Sequence, residues 1–506
     1  MSSFNAWKIG LTSSKTTSEL KQPMKNFEKI WIVGLIVTLA IIVIPTAFYL
    51  IPNDLGQEPD PWDHVPLDIP HTDHSAIIQG PFETGSEVTS ACLECHEDAA
   101  AQVMETTHWT WESKPYQREN RPGPVTVGKK NAINNFCIGI QGNWPGCTSC
   151  HAGYGWEDAG FDFSQQENVD CLVCHDNTGT YVKGFAGEPV EEVDLLEAAR
   201  SVAAPTRENC GGCHFKGGGG NAVKHGDLDE TLYFPPSNVD VHMGEHDFLC
   251  TDCHKTDDHD IKGRSISVSL SDENQVYCTD CHDQDLHEDS RINAHVTSVA
   301  CQSCHIPVAA TRDATKMFWD WSTAGSDEIE ESLHSYLKIK GSFVYEGNFT
   351  PEYRWYNGGV AYRYLLGDQI DPTETTSINL PAGTIEDPSA KIFPFKVHLA
   401  KQPYDTVNNI LLQPKTYGEG GYWTAFDWDQ ALELGSAITG LDYSGSYGFA
   451  ETEMYWPTTH MVKPAKDALT CEQCHGPNGR MDWQALGYYG DPLNWGSRFR
   501  SNSYQP

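Results

Sequence analysis

Residues 278–305 read "CTDCHDQDLHEDSRINAHVTSVACQSCH", and the five-residue pattern C-x-x-C-H opens and closes this stretch. The chain has 17 cysteines, and sixteen of them fall into eight units of this pattern. Each unit can bind a c-type haem through two thioether bonds, with the following histidine as proximal iron ligand. Two units this close in sequence can hold neighbouring porphyrins in contact range.

The eight units predict eight covalently bound c-type haems. Zinc ribbons and disulfide frameworks also pair cysteines, but neither requires a histidine directly after every pair. With 21 histidines in 506 residues, eight such histidines by chance have a probability on the order of 10⁻¹¹. The predicted attachment cysteines are Cys92, Cys95, Cys147, Cys150, Cys171, Cys174, Cys210, Cys213, Cys250, Cys253, Cys278, Cys281, Cys301, Cys304, Cys471 and Cys474. The predicted proximal ligands are His96, His151, His175, His214, His254, His282, His305 and His475.

Seven of the eight units fall within residues 91–305, which leaves too little protein for one domain per haem. We therefore predict a single packed haem array with extensive loops and mainly α-helical structure. Residues 306–470 contain no cysteine and combine aromatic residues with glycine-rich turns, a pattern typical of strands. The predicted fold class is a multihaem cytochrome c with an α+β haem-free segment. Residues 471–506 hold the eighth unit and the C-terminal tail.

Residues 30–51 are 22 residues without a charge, long enough as a helix to span roughly 33 Å. Lysines precede this segment and only acidic residues follow it closely, so residues 1–29 are expected in the cytoplasm and the haem domain in the periplasm. The prediction is a single transmembrane helix that anchors the protein in the cell membrane, with a cleaved signal peptide as the alternative. Residues 52–90 are predicted to be an acidic, proline-rich linker.

The formal net charge of −36 excludes nucleic acid as a partner. It favours a redox partner, either quinol-linked or a cytochrome, that docks through a positive surface.

The sixth ligand of each iron distinguishes an electron conduit from an enzyme. An iron with two histidine ligands has no free position for substrate and can only transfer electrons. The histidines beyond the eight proximal ones are numerous enough to supply distal ligands. Those in the 52–90 linker are interpreted as exposed, and His334 and His398 of the haem-free segment as core or surface residues. The best distal candidates are His108, His225, His242, His246, His259, His287, His295 and His460.

After the fourth unit, residues 210–230 read "CGGCHFKGGGGNAVKHGDLDE". Adjacent side chains diverge, so Lys224 and His225 could reach two different irons. An amine ligand must be neutral, which costs roughly 4–5 kcal/mol for an ordinary lysine at pH 7. A flexible surface loop with a solvated lysine is equally compatible with these residues.

The seventeenth cysteine, Cys137, stands ten residues before the second unit in "NNFCIGIQGNWPGCTSCH" (residues 134–151). A spare thiol outside the cytoplasm has to be buried or used. Residues 114–130 carry five basic side chains against one acid, a local excess that could draw an anion toward the haem.

Together, the eight units, the extra cysteine and the glycine run leading to Lys-His resemble octahaem tetrathionate reductase, from about Cys92 to His475. The resemblance implies that the second haem is the active one, with Lys224 as its distal ligand. It also implies that Cys137 and Asn134 line the pocket. Asn221 stands where the family pattern has an acidic residue, which leaves the substrate preference open.

The resemblance implies an oxidoreductase that reduces tetrathionate, nitrite or hydroxylamine. The alternative is a pure electron-transfer cytochrome between the quinol pool and a terminal partner. An oxidase of the hydroxylamine type uses a tyrosine cross-link, and no residue of this chain is assigned to that role.

Overall fold

The computed structural model describes residues 35, 38, 39, 71–117, 121–270, 273–496 and 498. The predicted anchor at 30–51 lies almost wholly outside these residues, as do the N-terminal tail and residues 52–70. Within the described part of the chain, no helix has both the length and the apolar character needed to cross a bilayer. The chain divides into two units, residues 1–65 and residues 66–506, and the second carries every C-x-x-C-H motif.

The helices up to His305 are short, as expected where a cofactor array replaces much of the protein core. Their bounds are α1 (Gly85–Leu93), α2 (Ala99–Met104), α3 (Thr107–Thr110), α4 (Trp144–Cys147), α5 (Leu172–His175), α6 (Leu195–Arg200), α7 (Arg207–His214), α8 (Val241–Glu245), α9 (Cys250–Cys253), α10 (Ser290–His295) and α11 (Cys301–His305). The helices after His305 are α12 (Tyr422–Ala425), α13 (Trp428–Thr439), α14 (Cys471–Cys474) and α15 (Pro492–Trp495).

Most C-x-x-C-H motifs form a single helical turn, which the sequence supports with caps. Asp252 Oδ2 accepts a hydrogen bond from the Leu249 amide at 2.6 Å. Gln473 Oε1 accepts one from the Thr470 amide at 2.9 Å. Inside the turn, the histidine amide donates to the carbonyl of the first cysteine, as from His254 to Cys250 at 2.9 Å. This bond directs the imidazole away from the turn.

The haem-free segment contains a mixed sheet, so the predicted α+β character is confirmed. The strands are β1 (Tyr116–Gln117), β2 (Pro124–Val125), β3 (Thr256–Asp257), β4 (Asp260–Ile261), β5 (Thr315–Asp320), β6 (Tyr336–Leu337), β7 (Gly341–Glu346), β8 (Glu352–Tyr356), β9 (Val360–Arg363), β10 (Thr376–Ser377), β11 (Asn379–Pro381), β12 (Lys391–Asp405), β13 (Ile410–Leu411) and β14 (Tyr447–Pro457). The main sheet has the order β10-β14-β12-β5-β7-β6, with β8 and β13 also paired to β12. Strand β12 pairs antiparallel with β14 and parallel with β5.

Helix α13 covers one part of this sheet. Its buried residues include Trp428, Ala431, Leu432 and Gly435, which recur with helical periodicity on one face. Trp428, Ala431 and Leu432 pack in a cluster with Trp319, Ile138 and Cys137. The cluster joins the sheet to the segment that precedes the second C-x-x-C-H motif.

Strand β12 also holds that segment through hydrogen bonds. Asn135 Nδ2 donates to the His398 carbonyl at 2.7 Å, and Gln402 Nε2 donates to the Asn134 carbonyl at 2.8 Å. The haem-free segment therefore positions Asn134 and Cys137.

Residues 71–90 pack against the array and do not behave as a linker. Ile78 and Val88 are buried in a cluster with Leu172 and Ala198, and α1 begins at Gly85. Apolar residues between the acids and prolines account for this packing.

Candidate functional site

The structure places a second histidine opposite seven of the eight proximal histidines, here numbered as units 1–8 in chain order. The distances between the imidazole ring centroids run from 6.0 to 6.5 Å. The pairs are His96–His74, His175–His259, His214–His108, His254–His460, His282–His242, His305–His287 and His475–His295, for units 1, 3, 4, 5, 6, 7 and 8.

Hydrogen bonds fix the tautomer of most of these rings. Nδ1 of His175 lies 2.8 Å from the Ala203 carbonyl, and Nδ1 of His254 lies 2.7 Å from the Lys262 carbonyl. Nδ1 of His295 lies 2.7 Å from the Arg291 carbonyl. A carbonyl can only accept, so Nδ1 carries the proton and Nε2 is left for a metal, the arrangement that metal-ligating histidines use.

The seven pairs fit bis-histidine haems. Two metal–imidazole bonds of about 2 Å each, plus the distance from each nitrogen to its ring centre, account for the observed ring separation. Each pair also has two cysteines at the base of one of its histidines, as thioether attachment requires.

The cysteines of different units lie close together, which gives the order of the array. Four pairs of cysteines from different units are in direct contact: Cys92–Cys171, Cys150–Cys213, Cys210–Cys250 and Cys278–Cys301. Three further pairs are near enough to interact electrostatically: Cys174–Cys210, Cys253–Cys281 and Cys304–Cys474. The units therefore form a continuous chain in the order 1-3-4-5-6-7-8, and unit 2 joins it as a branch at unit 4.

Two predicted distal ligands are not placed opposite a proximal histidine and need correction. His225 packs against Trp456, with ring centroids 5.1 Å apart. The ring of His246 lies 6.3 Å from that of Phe248. His74, which the sequence suggested was an exposed linker residue, lies opposite His96 instead. The packing of residues 71–90 on the array brings it there, and no pattern in the sequence indicated this.

Unit 2 differs from the others in its histidine. The His151 amide donates to the Thr148 carbonyl at 2.8 Å, one residue closer in sequence than in the regular turn. The His151 Nε2 lies 2.7 Å from the Trp109 carbonyl, and its Nδ1 is buried without a hydrogen-bond partner. Burial lowers the pKa of this imidazole to about 3.

Aromatic side chains enclose the His151 ring. Five aromatic residues have ring centroids within 6.1 Å of it, and among the described residues none of its ring neighbours is a histidine: Trp109, Trp111, Trp156, Phe161 and Phe163. This geometry does not support the prediction that His151 ligates iron, since its Nε2 is already engaged by a carbonyl.

Lys224 lies near the cysteines of unit 2. Its pKa is lowered to about 8, first by burial and then by the charge of Lys129, while Cys150 acts in the opposite direction. The Lys224 Nζ lies 4.9 Å from the Trp456 ring centroid and 5.9 Å from that of Phe136. Its amine makes no hydrogen bond or ion pair to any described residue. Deprotonating an amine with a pKa of about 8 at pH 7 costs only about 1.4 kcal/mol.

The glycine run before Lys224 allows close packing. A Cβ atom at Gly217 would lie 3.0 Å from Lys224 Cδ, and one at Gly218 would lie 2.9 Å from a Phe136 ring carbon. Gly218 also has a φ of +85°, which side chains rarely adopt. The run is therefore an ordered wall of the site.

The other residues carried over from the resemblance are placed differently. Asn134 Oδ1 accepts a hydrogen bond from the Cys137 amide at 2.7 Å, so this side chain holds the loop. The Cys137 thiol lies near Cys147, as its effect on that residue shows. Asn221 Nδ2 donates to Asp313 Oδ2 at 2.7 Å. Asp313, from another segment, therefore supplies an acidic side chain next to Asn221, the position that is acidic in the family pattern.

Lys316 is a residue of this site that the sequence did not reveal. It is 3% exposed, and its Nζ lies 3.7 Å from the Trp319 ring centroid and 4.1 Å from that of Phe343. Burial and Lys340 lower its pKa to about 7, and Cys137 opposes this shift. No carboxylate pairs with it in the described parts of the chain. A lysine inside a strand carries no motif, so only the sheet could bring it here.

The basic residues between 114 and 130 separate into two groups. Arg121 pairs with Asp368 at 2.6 Å and Lys114 with Glu273 at 3.3 Å, and Lys130 lies 3.7 Å from Glu112. Lys129 instead lies 4.0 Å from the Trp111 ring centroid. Arg118 lies outside the described residues. Lys129 is therefore the described member of this stretch whose charge reaches Lys224.

These features fit a multihaem c-type cytochrome, with seven sites at which two histidines face one another and one site of a different kind. A family model for bacterial cytochrome c matches residues 316–478. The chain is 49% identical to octaheme cytochrome c from Shewanella oneidensis, whose crystal structure superposes with a TM-score of 0.79, covering 84% of this chain and 98% of that one. It is also 27% identical over 248 residues to an uncharacterized protein of Archaeoglobus fulgidus, covering 39% of this chain and 82% of that one.

The chain belongs to the octahaem cytochrome c family, and the resemblance to octahaem tetrathionate reductase is consistent with this membership. It is a multihaem redox protein with eight covalently bound c-type haems. The haems are numbered below as their units.

Proposed function

We propose that this protein is a reductase that acts on a small sulfur or nitrogen oxo-compound, either tetrathionate, nitrite or hydroxylamine, at haem 2. The observation that carries the proposal is the absence of a histidine pair at unit 2 alone among the eight units, all of which lie in described residues. A bis-histidine iron can only exchange electrons, whereas an iron with an open position can bind substrate.

The residues of unit 2 account for that open position. Cys147 and Cys150 attach the haem, and Lys224 is the side chain available as an axial ligand. His151 stays bound to the Trp109 carbonyl. One coordination position then has no protein ligand, so substrate can bind while Lys224 remains the axial ligand.

The charges around the site favour an anion. Lys129 and Lys316 contribute two amines, and neither has a carboxylate partner among the described residues. Fixed positive groups in a site that excludes water stabilise negative charge much more than they would in solution. Nitrite and tetrathionate are anions, and hydroxylamine is neutral. The lysines therefore favour nitrite and tetrathionate over hydroxylamine.

The haem supplies the electron transfer, and the chain supplies ligands, electrostatics and access. Reduction of tetrathionate takes two electrons and breaks the central S–S bond to give two thiosulfates. Reduction of nitrite to ammonium takes six electrons and eight protons and releases two waters. The array delivers these electrons from an external one-electron donor through haem 4, whose Cys213 contacts Cys150.

The test uses the holoprotein with a reduced dye as electron donor. We expect turnover of nitrite or tetrathionate, and a wild-type EPR spectrum with seven low-spin bis-histidine haems and one haem of different ligation. Eight equivalent bis-histidine haems and no turnover of any of the three compounds would contradict the proposal.

The electron conduit remains the second candidate, because the chain of units 1-3-4-5-6-7-8 is continuous without unit 2. A wire, however, has no use for a branch that ends in a differently ligated haem. The conduit predicts that loss of Lys224 leaves electron transfer between external donor and acceptor unchanged, with no substrate reduction to lose.

We also propose that the protein is anchored in the cell membrane by residues 30–51 and faces the periplasm, where c-type haem is attached. Its donor would be quinol-linked or a cytochrome with a positive surface, given the net charge of −36. Cell fractionation checks this: haem should follow the membrane fraction, and removal of residues 1–51 behind a cleavable signal should release it. Haem in the soluble fraction of cells with the full chain would contradict it.

A further inference from the structure

Haem 8 has an axial histidine that is bound to a carboxylate. Nδ1 of His475 lies 2.6 Å from Asp491 Oδ1. The two side chains are 17% and 13% exposed. On the other side of the same haem, Nδ1 of His295 faces the Arg291 carbonyl at 2.7 Å. One axial imidazole thus has an anionic acceptor and the other a neutral one.

The structure fixes this carboxylate in place. Asp491 accepts hydrogen bonds from the Gly476 amide at 2.6 Å and from the Leu493 amide at 2.9 Å. Trp483 stacks on the His475 ring with centroids 5.2 Å apart and planes at 17°. The acceptor and the imidazole plane are both held, so the hydrogen bond persists as the iron changes oxidation state.

A carboxylate that accepts the Nδ1 proton makes the imidazole a stronger donor through Nε2. A stronger axial donor stabilises ferric over ferrous iron and lowers the reduction potential of the haem. A peptide carbonyl acts in the same direction but carries no net charge. The reduction potential of haem 8 should therefore be lower than that of the haems whose axial histidines face carbonyls only.

Haem 8 lies at one end of the array, so a low reduction potential there affects the direction of electron flow. Unit 8 contacts the array through Cys304 and Cys474 and is one end of the continuous chain. At haem 1, the other end, the Nδ1 of His74 lies 2.7 Å from the Thr72 carbonyl. Lys129 and Lys316 lie near the branch at haem 2, and their positive charge stabilises the reduced state. The carboxylate at haem 8 and the lysines near haem 2 together favour electron flow from haem 8 toward haem 2.

We propose that Asp491 is a positioning residue that makes haem 8 the low-potential end of the array, the end at which a reduced protein donor delivers electrons one at a time. The donor loses one electron and the ferric iron of haem 8 gains it, without proton transfer. This inference does not depend on which compound is reduced at haem 2.

The same device occurs more weakly at haem 5. Nδ1 of His460 lies 3.3 Å from Asp227 Oδ2, a longer contact than at haem 8. Asp227 accepts hydrogen bonds from the amides of Thr459 and His460, as Asp491 does from two amides, so the longer contact to the imidazole is the difference between the two haems. We expect a smaller depression of the potential at haem 5.

The test is Asp491→Asn in the holoprotein, with potentiometric titration of the low-spin EPR signals. The reduction potential of one haem should rise by about 59 mV, the one-electron equivalent of a tenfold change. At a fixed ambient potential, the oxidised-to-reduced ratio of that haem should then fall about tenfold. Asp491→Glu should restore the wild-type value. Asp491→Ser, which can still cap α15, replaces the asparagine variant if that variant does not retain eight haems.

The matched control is Asp482→Asn. Asp482 is exposed and precedes Trp483, so this change removes a nearby negative charge without touching the imidazole. In Asp482→Asn, the oxidised-to-reduced ratio of this haem at the same ambient potential should stay within a few-fold of the wild-type ratio. An unchanged potential in Asp491→Asn, or an equal shift in Asp482→Asn, would overturn the inference. Turnover at haem 2 plays no part in either outcome.

Discussion

Unit 2, CTSCH at residues 147–151, and unit 5, CTDCH at residues 250–254, differ at one position but place their histidines differently. In unit 5, Asp252 caps the turn, the His254 amide bonds to Cys250, and the imidazole faces His460 at 6.3 Å. In unit 2, the His151 amide bonds to Thr148 instead, and the imidazole enters an aromatic cage.

The neighbours of the motif account for this difference. Helix α4 runs into unit 2 from its N-terminal side, and Thr148 Oγ1 donates to the carbonyls of Trp144 and Trp156 at 2.8 and 2.9 Å. Serine replaces the capping aspartate at position 149. The motif C-x-x-C-H specifies thioether attachment, while the local hydrogen bonds set whether its histidine faces a second histidine or enters an aromatic cage.

Replacing Lys224 should have the largest effect. In Lys224→Ala, haem 2 loses the side chain available as its axial ligand. We expect substrate reduction to fall by more than the roughly 10–100-fold typical for loss of a supporting residue. The EPR signal of haem 2, the one haem without a histidine pair, should change or be lost. The other seven haems should keep their spectra, and an unchanged spectrum in all eight would show that Lys224 is not a ligand.

Replacing Lys183 should have the next largest effect. Its Nζ lies 2.7 Å from Asp170 Oδ2, both side chains are at most 5% exposed, and it donates to the His151 and Gly153 carbonyls. Lys183→Met leaves a buried aspartate unpaired, which costs about 3–5 kcal/mol. Thermal unfolding should shift to lower temperature. Lys114→Met, at an exposed ion pair, is the control and should change little.

Replacing Lys316 should give an effect of about tenfold, the size of one charge-assisted hydrogen bond. Lys316→Met should raise KM for nitrite or tetrathionate and leave KM for hydroxylamine nearly unchanged. The two kinds of substrate are each other's control, and an equal loss for both would place Lys316 outside the substrate site.

The same lysine predicts a pH dependence. With a pKa of about 7, Lys316 is charged below pH 7 and loses its proton as the pH rises through that value. KM for an anionic substrate should therefore increase with rising pH around 7. In Lys316→Met this increase should disappear, and its persistence would assign the titration to another group.

Replacing His151 should have the smallest effect on the haem spectra, and it tests directly whether units 2 and 5 ligate iron differently. In His151→Ala, the number of low-spin haems should match the wild type, because His151 is bound to the Trp109 carbonyl. In the matched variant His254→Ala, one low-spin signal should be lost. Loss of a signal in His151→Ala would show that the two units ligate iron alike.

Sequence patterns were informative where chemistry repeats. The spacing of cysteines and histidines predicted eight haems and one packed array, and the aromatic, glycine-rich run predicted strands in the haem-free segment. Neither pattern contained the place of Lys316 beside Cys137, which joins segments far apart in the chain, or the pairing of His74 with His96, which depends on the packing of residues 71–90 against Leu172 and Ala198.

Local spacing is enough to specify the cofactor, since a thioether haem needs only two cysteines and a histidine at fixed positions. The sequence also marks Lys224 and Cys137 as unusual. Long-range packing sets which histidines face one another, which unit branches from the chain and which axial histidine is hydrogen-bonded to a carboxylate. Those features depend on distances of a few ångströms between residues that are often more than a hundred positions apart, and only the packing of the folded chain sets such distances.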